Sequence, residues 1–169
     1  MRIETIGTDA AVRRLSVYKN ALGTKCRLLL SELSKLGIDT AGVNFKRAIY
    51  DGANDVEVSP EPEWQDDHTL FLCASGCAIL FIEFGAGVHY AEPAHPEASA
   101  FGAVRGEYGQ GKGKRDSWGY YGEPGTNGRS TGENLVLTHG NPANRSMYDA
   151  GEAMRAQILS TAREVWSDD

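Results

Sequence analysis

One short apolar run, residues 77–87, constrains the fold more than any other stretch of this sequence. It reads Cys-Ala-Ile-Leu-Phe-Ile-Glu-Phe-Gly-Ala-Gly, so it holds a single carboxylate, Glu83, and ends at two glycines. Each large apolar side chain in it contributes about 1.5–3 kcal/mol on burial, which predicts that the run lies in the core. A run this short fits either a strand or a short buried helix.

The composition favours one domain over residues 1–169, because the length is enough for a core and too short for two domains. The formal net charge of −6 repels DNA phosphate and anionic membrane surfaces. No apolar run reaches membrane-spanning length, and no apolar signal region follows Met1. Cys26, Cys73 and Cys77 form an odd set, which predicts packing residues in a reducing cytoplasm.

Two helices are predicted near the ends of the chain. Apolar residues recur at three- and four-residue steps from Thr8 to about Gly37, with Thr8 or Asp9 as N-cap and Gly37 as a left-handed C-cap. A second pattern follows Gly140 and runs to about Trp166. The first stripe contains Leu15, Tyr18, Leu22, Leu29, Leu33 and Leu36; the second contains Met147, Ala150, Met154, Ile158, Ala162 and Val165, after Asn144 or Ser146 as the cap.

Between the helices the sequence predicts short strands. Residues 41–50 and 54–60 indicate a hairpin joined by the turn at 51–54, and residues 69–73 indicate a third strand. The segment 88–134 is then a long glycine-rich loop, of the kind that is functional or ordered by a partner. Strands at 118–121 and 133–138 are predicted within or beside it.

The loop contains motifs that resemble ligand sites only in part. Residues 106–113 have the spacing of a phosphate-binding loop up to Lys112, but Gly113 stands where Ser or Thr must hold magnesium. Lys112, Lys114 and Arg115 lie near Tyr108 and Trp118. The default interpretation of this basic cluster is a solvated loop, and the alternative is a local contact with nucleic acid or an acidic subunit.

Metal and nucleophile chemistry are both disfavoured by spacing. His89, Glu92 and His95 are close in sequence, but Pro93 and Pro96 exclude the helix that would align them as ligands. A catalytic pair of Cys73 or Cys77 with His139 has no motif that brings its members together. Loop histidines and small packing cysteines are the favoured interpretation.

Glu83 admits a structural and a catalytic interpretation. A catalytic carboxylate needs a second acid or base beside it, and the sequence identifies none. A structural carboxylate accepts hydrogen bonds from backbone amides or pairs with Arg129 or Arg145. The structural role is favoured.

An ordered set of short motifs resembles a known family. Residues 82–87 (Ile-Glu-Phe-Gly-Ala-Gly), the pair His95-Pro96, residues 118–121 (Trp-Gly-Tyr-Tyr), residues 138–143 (Thr-His-Gly-Asn-Pro-Ala) and residues 147–150 (Met-Tyr-Asp-Ala) follow one another. From about Cys77 to the C-terminus this order is similar to that of tailed-bacteriophage tail-completion proteins, also called head–tail joining or neck proteins. Two departures are Ala86, where the family usually has Thr, and the polar Asn144-Arg-Ser146 in place of an aromatic residue.

The resemblance implies an α+β fold, with a curled antiparallel sheet flanked by a long N-terminal helix and a C-terminal helix. It implies a non-enzymatic virion subunit without a cofactor, assembled in the bacterial host cytoplasm into a ring of copies of itself, six by analogy. Such a ring contacts neck, tail-tube or tail-terminator proteins, and DNA passes it without sequence-specific binding; no membrane is involved. The structural or interface residues expected are Glu83, Phe84, Gly85, Gly87, Trp118, Tyr120, Tyr121, Arg145 and Met147.

Two alternatives remain open at this point. One is a phage- or prophage-encoded hydrolase that uses Glu83 with a loop histidine. The other is a nucleic-acid accessory protein that acts through residues 112–115.

Overall fold

The computed structural model of the chain describes residues 7–90, 92–104, 106–107, 115–125, 129–132 and 134–167. Three helices and seven short strands occur in these ranges. In chain order they are α1 (Thr8–Arg47), β1 (Glu57–Val58), β2 (Glu63–Trp64), β3 (Leu70–Phe71), β4 (Ala74–Ser75), α2 (Ile79–Phe84), β5 (Trp118–Tyr121), β6 (Arg129–Ser130), β7 (Leu135–Thr138) and α3 (Ser146–Ser167).

The α+β class is confirmed, but the curled sheet is wrong. The strands form three small antiparallel sheets, with the orders β1-β4, β2-β3 and β5-β7-β6. Most of these strands have only two residues. A two-residue ladder is too short for the twist between strands to produce a curled sheet. The predicted strands at 118–121 and 133–138 are present as β5 and β7, which pair over four residues.

The first helix is ten residues longer than its apolar pattern predicts. It does not end at Gly37, which is buried because Met154 of α3 and Leu72 occupy the space of a side chain there. The helix continues through Ala41 and Phe45 to Arg47, so the predicted strand at 41–50 is wrong. Ala41 and Phe45 are four residues apart and share a helical face, which accounts for their joint burial.

The core lies where the three helices meet. Phe45 of α1 and Ile82 of α2 are fully buried together with the small residues Ala41, Ala78 and Ala150. Alanine on α1 and on α3 lets the two backbones approach closely, because no long side chain separates them. The sheets lie around this helical centre.

The first half of α1 extends beyond the core, and every residue from 8 to 22 is exposed. We call residues 8–22 the projecting segment. Its apolar side chains are uncovered, with Leu15 at 67 %, Tyr18 at 66 % and Leu22 at 40 % exposure. The same helical face is buried three turns after Leu22, at Leu33, so the apolar stripe extends towards the N-terminus beyond the residues that are covered.

The central apolar run is a helix, α2, and not a strand. The Asp55 carboxylate accepts hydrogen bonds from the amides of Cys77 (2.7 Å) and Ala78 (2.9 Å), which caps the turn that leads into it. Gly85, at φ 77°, ends it. The prediction that the whole run is buried is wrong, because a helix turns part of the run towards solvent. Leu80 and Phe81 are exposed, whereas Ile82 is buried.

No helix in the described ranges has the length and apolar character needed to cross a membrane.

Asp55→Asn is expected to lower the free energy of unfolding at pH 7. The amides of Cys77 and Ala78 hold the pKa of the Asp55 carboxyl below its usual value of 3.8. A carboxyl with a depressed folded-state pKa contributes stability above its unfolded pKa and loses that contribution as pH falls through the folded value. Denaturant unfolding at pH 7 and pH 3 should therefore show a smaller loss on acidification for the variant than for the wild type.

The exposed neighbour Glu57 provides the control, because Glu57→Gln removes a carboxylate that makes no hydrogen bond to the described residues. Equal stability of Asp55→Asn and wild type at both pH values would contradict the capping role.

Candidate functional site

Glu83 is a buried carboxylate of one helix that lies beside the first turn of another. It lies in α2 and is 6 % exposed. The Met147 amide donates to both of its oxygens, at 3.1 and 3.0 Å, and the Tyr148 amide donates to Oε1 at 3.0 Å. These amides belong to the first turn of α3, where backbone N–H groups have no partner within the helix. Glu83 therefore caps α3 from a different element.

The backbone holds the two helices in this arrangement. The Arg145 amide donates to the Glu83 carbonyl (3.1 Å), and the Asn144 amide donates to the Ile82 carbonyl (2.9 Å). Arg145 takes a left-handed conformation, at φ 53°, which turns the chain into Ser146. Because the positive end of the α3 dipole faces the carboxylate, the negative charge is favoured at this position.

His95 completes the surroundings of the carboxylate. Its Nε2 lies 3.3 Å from Glu83 Oε1, and its Nδ1 accepts a hydrogen bond from the Glu97 amide at 3.1 Å. Since Nδ1 accepts, Nε2 carries the proton and donates to Glu83, and the imidazole is neutral. Both ring nitrogens are thus engaged, in side chains that are 3 % (His95) and 8 % (Glu83) exposed.

Aromatic rings pack around the His95 side of the site. The Phe84 ring lies 4.4 Å from the His95 ring and 5.8 Å from the Phe101 ring, measured between centroids. The Tyr148 ring contacts His95 edge-on at 5.3 Å. The apolar cover lowers the local dielectric, which strengthens the hydrogen bonds to Glu83.

A second contact fastens the chain after α2 to the chain before α3. Ala86 and Asn141 exchange two backbone hydrogen bonds of 3.0 and 3.1 Å, and the Asn141 side-chain amide donates to the Phe81 carbonyl at 2.7 Å. The Trp118 ring lies over Gly87 and Gly140, and a side chain at Gly87 would approach the ring to 2.7 Å. We call Glu83, His95, Asn141, Trp118 and the α3 amides the helix clamp.

The chemistry of the clamp is that of a fixed charge. A general base must reach a proton on a substrate, whereas both Glu83 oxygens accept hydrogen bonds from α3 and Oε1 also faces His95. The pair that the hydrolase alternative requires, Glu83 with a loop histidine, does exist. Its atoms are occupied and buried, so the geometry supports a structural carboxylate.

Cys73 and Tyr50 both have raised pKa values, which disfavours their anionic forms. Desolvation and the Glu63 carboxylate raise the pKa of the Cys73 thiol, which disfavours its thiolate. Burial, with Tyr120 and nearby carboxylates, raises the pKa of Tyr50 to about 12. The His139 ring hydrogen bonds through Nδ1 with the Asp116 carbonyl (3.0 Å).

The described residues include no group of three His, Cys, Asp or Glu side chains that would hold a metal ion. Of the three ligands weighed from the sequence, His95 is engaged with Glu83 and Glu97. The ring of His89 instead lies 5.8 Å from that of His139.

The structure brings together some of the predicted residues and separates others. Glu83, Trp118 and the Met147 amide are members of the helix clamp, and Phe84, Gly85 and Gly87 lie beside it. Tyr121 is 80 % exposed and lies outside it, and Tyr120 is half-buried, with its hydroxyl close to Gly52.

The prediction that Glu83 pairs with an arginine side chain is wrong. Arg129 is exposed on β6, and the Arg145 guanidinium lies 3.8 Å from Asp149 instead. Backbone amides, the other predicted partners of Glu83, are confirmed. Of the phosphate-loop-like segment 106–113, residues 108–113 lie outside the described residues, as does Lys114, and Arg115 is exposed.

Two contributors were not recognised from the sequence as partners of this site. His95 was identified as a loop histidine, as a metal-ligand candidate and within the His-Pro pair of the resemblance, and Asn141 only within the motif at 138–143. The signal available was a short His-Pro and a short Asn-Pro pair, and neither reveals a contact with α2.

Comparison with protein-family models, with curated proteins and with solved structures finds no match. The helix clamp therefore has to be interpreted from its own geometry.

Glu83→Gln is expected to destabilise the protein by about 3 kcal/mol, because hydrogen bonds to a charged group contribute about 1.5–3 kcal/mol each. The new side-chain NH2 would face N–H donors of α3 or His95 and leave one of them unsatisfied. Urea unfolding followed by circular dichroism measures the change. Glu164→Gln, at an exposed position on α3, is the control, and unchanged stability of Glu83→Gln would contradict the capping role.

Gly140→Ala is expected to destabilise the protein by at least about 2 kcal/mol, from a left-handed backbone and a steric overlap. Gly140 has φ 84°, and its Cβ would overlap the Ala86 carbonyl oxygen. Gly102 also has positive φ (64°) but open space around it, so Gly102→Ala should cost only about 1 kcal/mol. Equal losses for the two variants in thermal unfolding would show that the Ala86 contact is not tight.

Proposed function

We propose that this protein is a structural subunit of a tailed bacteriophage, which assembles with copies of itself into a ring at the head–tail junction or the top of the tail. The ring completes the tail and joins it to neighbouring neck, tail-tube or tail-terminator proteins. The location comes from the resemblance of the ordered motifs. Assembly is supported by physical features of the described chain.

The observation that carries the proposal is the uncovered apolar stripe of the projecting segment. A helix of about 12–15 residues is marginal in water without tertiary packing, and residues 8–22 are all exposed in the part of the chain that the structure describes. Gly7 precedes the helix and makes no side-chain cap. A partner that covers Leu15, Tyr18 and Leu22 would supply the missing packing, and in a ring that partner is another subunit.

The motifs behind the resemblance support the same function. Parts of these motifs that are far apart in sequence meet at the helix clamp, namely residues 83–86, His95, Trp118 and residues 140–141. Each contact there fixes backbone geometry: Glu83 caps α3, Ala86 pairs with Asn141, and Trp118 covers Gly87. A ring subunit that keeps its shape when it contacts its neighbours requires a rigid frame of this kind.

The charge of the chain suits a ring that DNA passes. The net charge of −6 per subunit weakens binding to phosphate, since affinity for DNA comes largely from cationic side chains. We propose six copies by analogy with related junctions, and passage of DNA without sequence-specific contacts.

The mass of the purified chain tests the proposal. We expect a particle whose mass is a multiple of 18.3 kDa by light scattering, with ring-shaped images in negative stain. Leu15→Lys should dissociate it, because a charge would be buried in the covered stripe. Leu159→Lys, at an equally exposed leucine on α3 (70 % against 67 %), should leave the particle intact.

A single 18.3 kDa species at every protein concentration would contradict the proposal. Dissociation by Leu159→Lys but not by Leu15→Lys would show that assembly uses a different surface.

A further inference from the structure

Charge is divided unevenly between two exposed parts of the chain. The projecting segment has three basic side chains, Arg13, Arg14 and Lys19, against one acidic, Asp9. Residues 51–67 contain seven acidic side chains and no Lys or Arg, namely Asp51, Asp55, Glu57, Glu61, Glu63, Asp66 and Asp67. Opposite charge of this kind makes two surfaces electrostatically complementary.

The basic residues flank the uncovered stripe. At 100° per residue, Leu15, Tyr18 and Leu22 share one face of the helix, and Arg14 and Lys19 lie on opposite sides of it. Within the described ranges, neither Arg14 nor Lys19 takes part in an ion pair. The segment thus presents an apolar centre with a basic rim.

The β2–β3 pair presents the reverse arrangement. Glu63 lies directly opposite Phe71 in the ladder, so both side chains project from the same face. Both are exposed, Phe71 at 51 %. Glu61, two residues before Glu63, is exposed as well. We call Glu61, Glu63 and Phe71 the acidic ribbon, an apolar centre with an acidic rim.

The projecting segment does not cover the acidic ribbon of the same copy, because residues 8–22 and all three ribbon residues are exposed. The other face of the β2–β3 pair packs on α1 at Arg27, whose guanidinium lies 4.3 Å from the Trp64 ring centroid and 2.9 Å from Asp67. Tyr18 is nine residues further along a straight helix, about 13 Å away at 1.5 Å per residue. The projecting segment therefore extends past the ribbon of its own copy.

Contact between two projecting segments is also disfavoured, because it would bring basic rims together. A contact between the segment of one copy and the ribbon of the next leaves a free segment and a free ribbon at the two ends. Such a head-to-tail contact produces a closed ring when its rotation closes.

Resting on the proposed function, we infer that residues 8–22 of one copy dock on the acidic ribbon of the adjacent copy. The stripe of Leu15, Tyr18 and Leu22 covers Phe71. Arg14 and Lys19 face Glu61 and Glu63. The partner is a second copy of this chain.

A charge exchange in the full-length chain tests this contact. Arg14→Glu with Lys19→Glu should weaken assembly on the order of 100-fold, because like charges then face each other, and Glu61→Lys with Glu63→Lys should do the same. The four changes in one chain should restore assembly. Sedimentation velocity over a concentration series measures the dissociation constant, and circular dichroism checks folding.

The control is Arg155→Glu with Arg163→Glu, which makes the same change of charge on exposed positions of α3 and should leave assembly unchanged. Raising the salt concentration should weaken wild-type assembly without any substitution.

The outcomes separate this inference from the proposed function. If the wild type assembles and the exchanges have no effect, or if the combined variant stays dissociated, the docking of segment on ribbon is wrong while ring assembly stands. If the wild type is monomeric at every concentration, the proposed function fails. Should an exchanged variant not fold, salt-independent assembly of the wild type would overturn the inference on its own.

Discussion

The Met147 and Tyr148 amides in the first turn of α3 have a hydrogen-bond partner because the buried Glu83 carboxylate lies beside them. Moving a carboxylate out of water costs several kcal/mol unless charge and hydrogen bonds compensate. Here the Met147 and Tyr148 amides, the positive end of the helix dipole and the His95 N–H all act on the same group. The interaction therefore fixes the position of α2 and α3 relative to each other, and with it the surface that packs on α1.

The segments before and after α2 are both tied to the contact between α2 and α3. Asp55 caps the turn before α2, so a residue of the strand region sets where the Glu83 helix begins. After α2, the exchange of hydrogen bonds between Ala86 and Asn141 ties the loop region to the approach to α3. The small sheets are thus attached to a helical frame.

Periodicity predicts the parts of this fold that are local. The two long helices, β5 and β7 follow from patterns within one segment. Gly37 shows where local rules fail, because a glycine that usually ends a helix serves close packing against Met154. The strand expected at 41–50 fails for a similar reason, since burial by α3 and α2 selects the helical face of Ala41 and Phe45.

The candidate site was partly accessible from the sequence. One carboxylate in an apolar run indicates a structural role for Glu83, and amides are a reasonable partner for it. The contact with His95 spans twelve residues of irregular chain, and the cap on α3 spans sixty-four. Contacts at that separation depend on how whole helices pack, which no local pattern contains.

Packing along α1 is uneven, and this gives one helix two different local stabilities. Amide hydrogens near Ala41 exchange with solvent only when the helical core opens. Those of residues 8–22 exchange when the exposed end of the helix frays. Binding of a neighbour would remove the difference by protecting the frayed end. Formation of the first turns of α1 would then depend on the concentration of subunits, because an isolated chain would open there more often than a bound one.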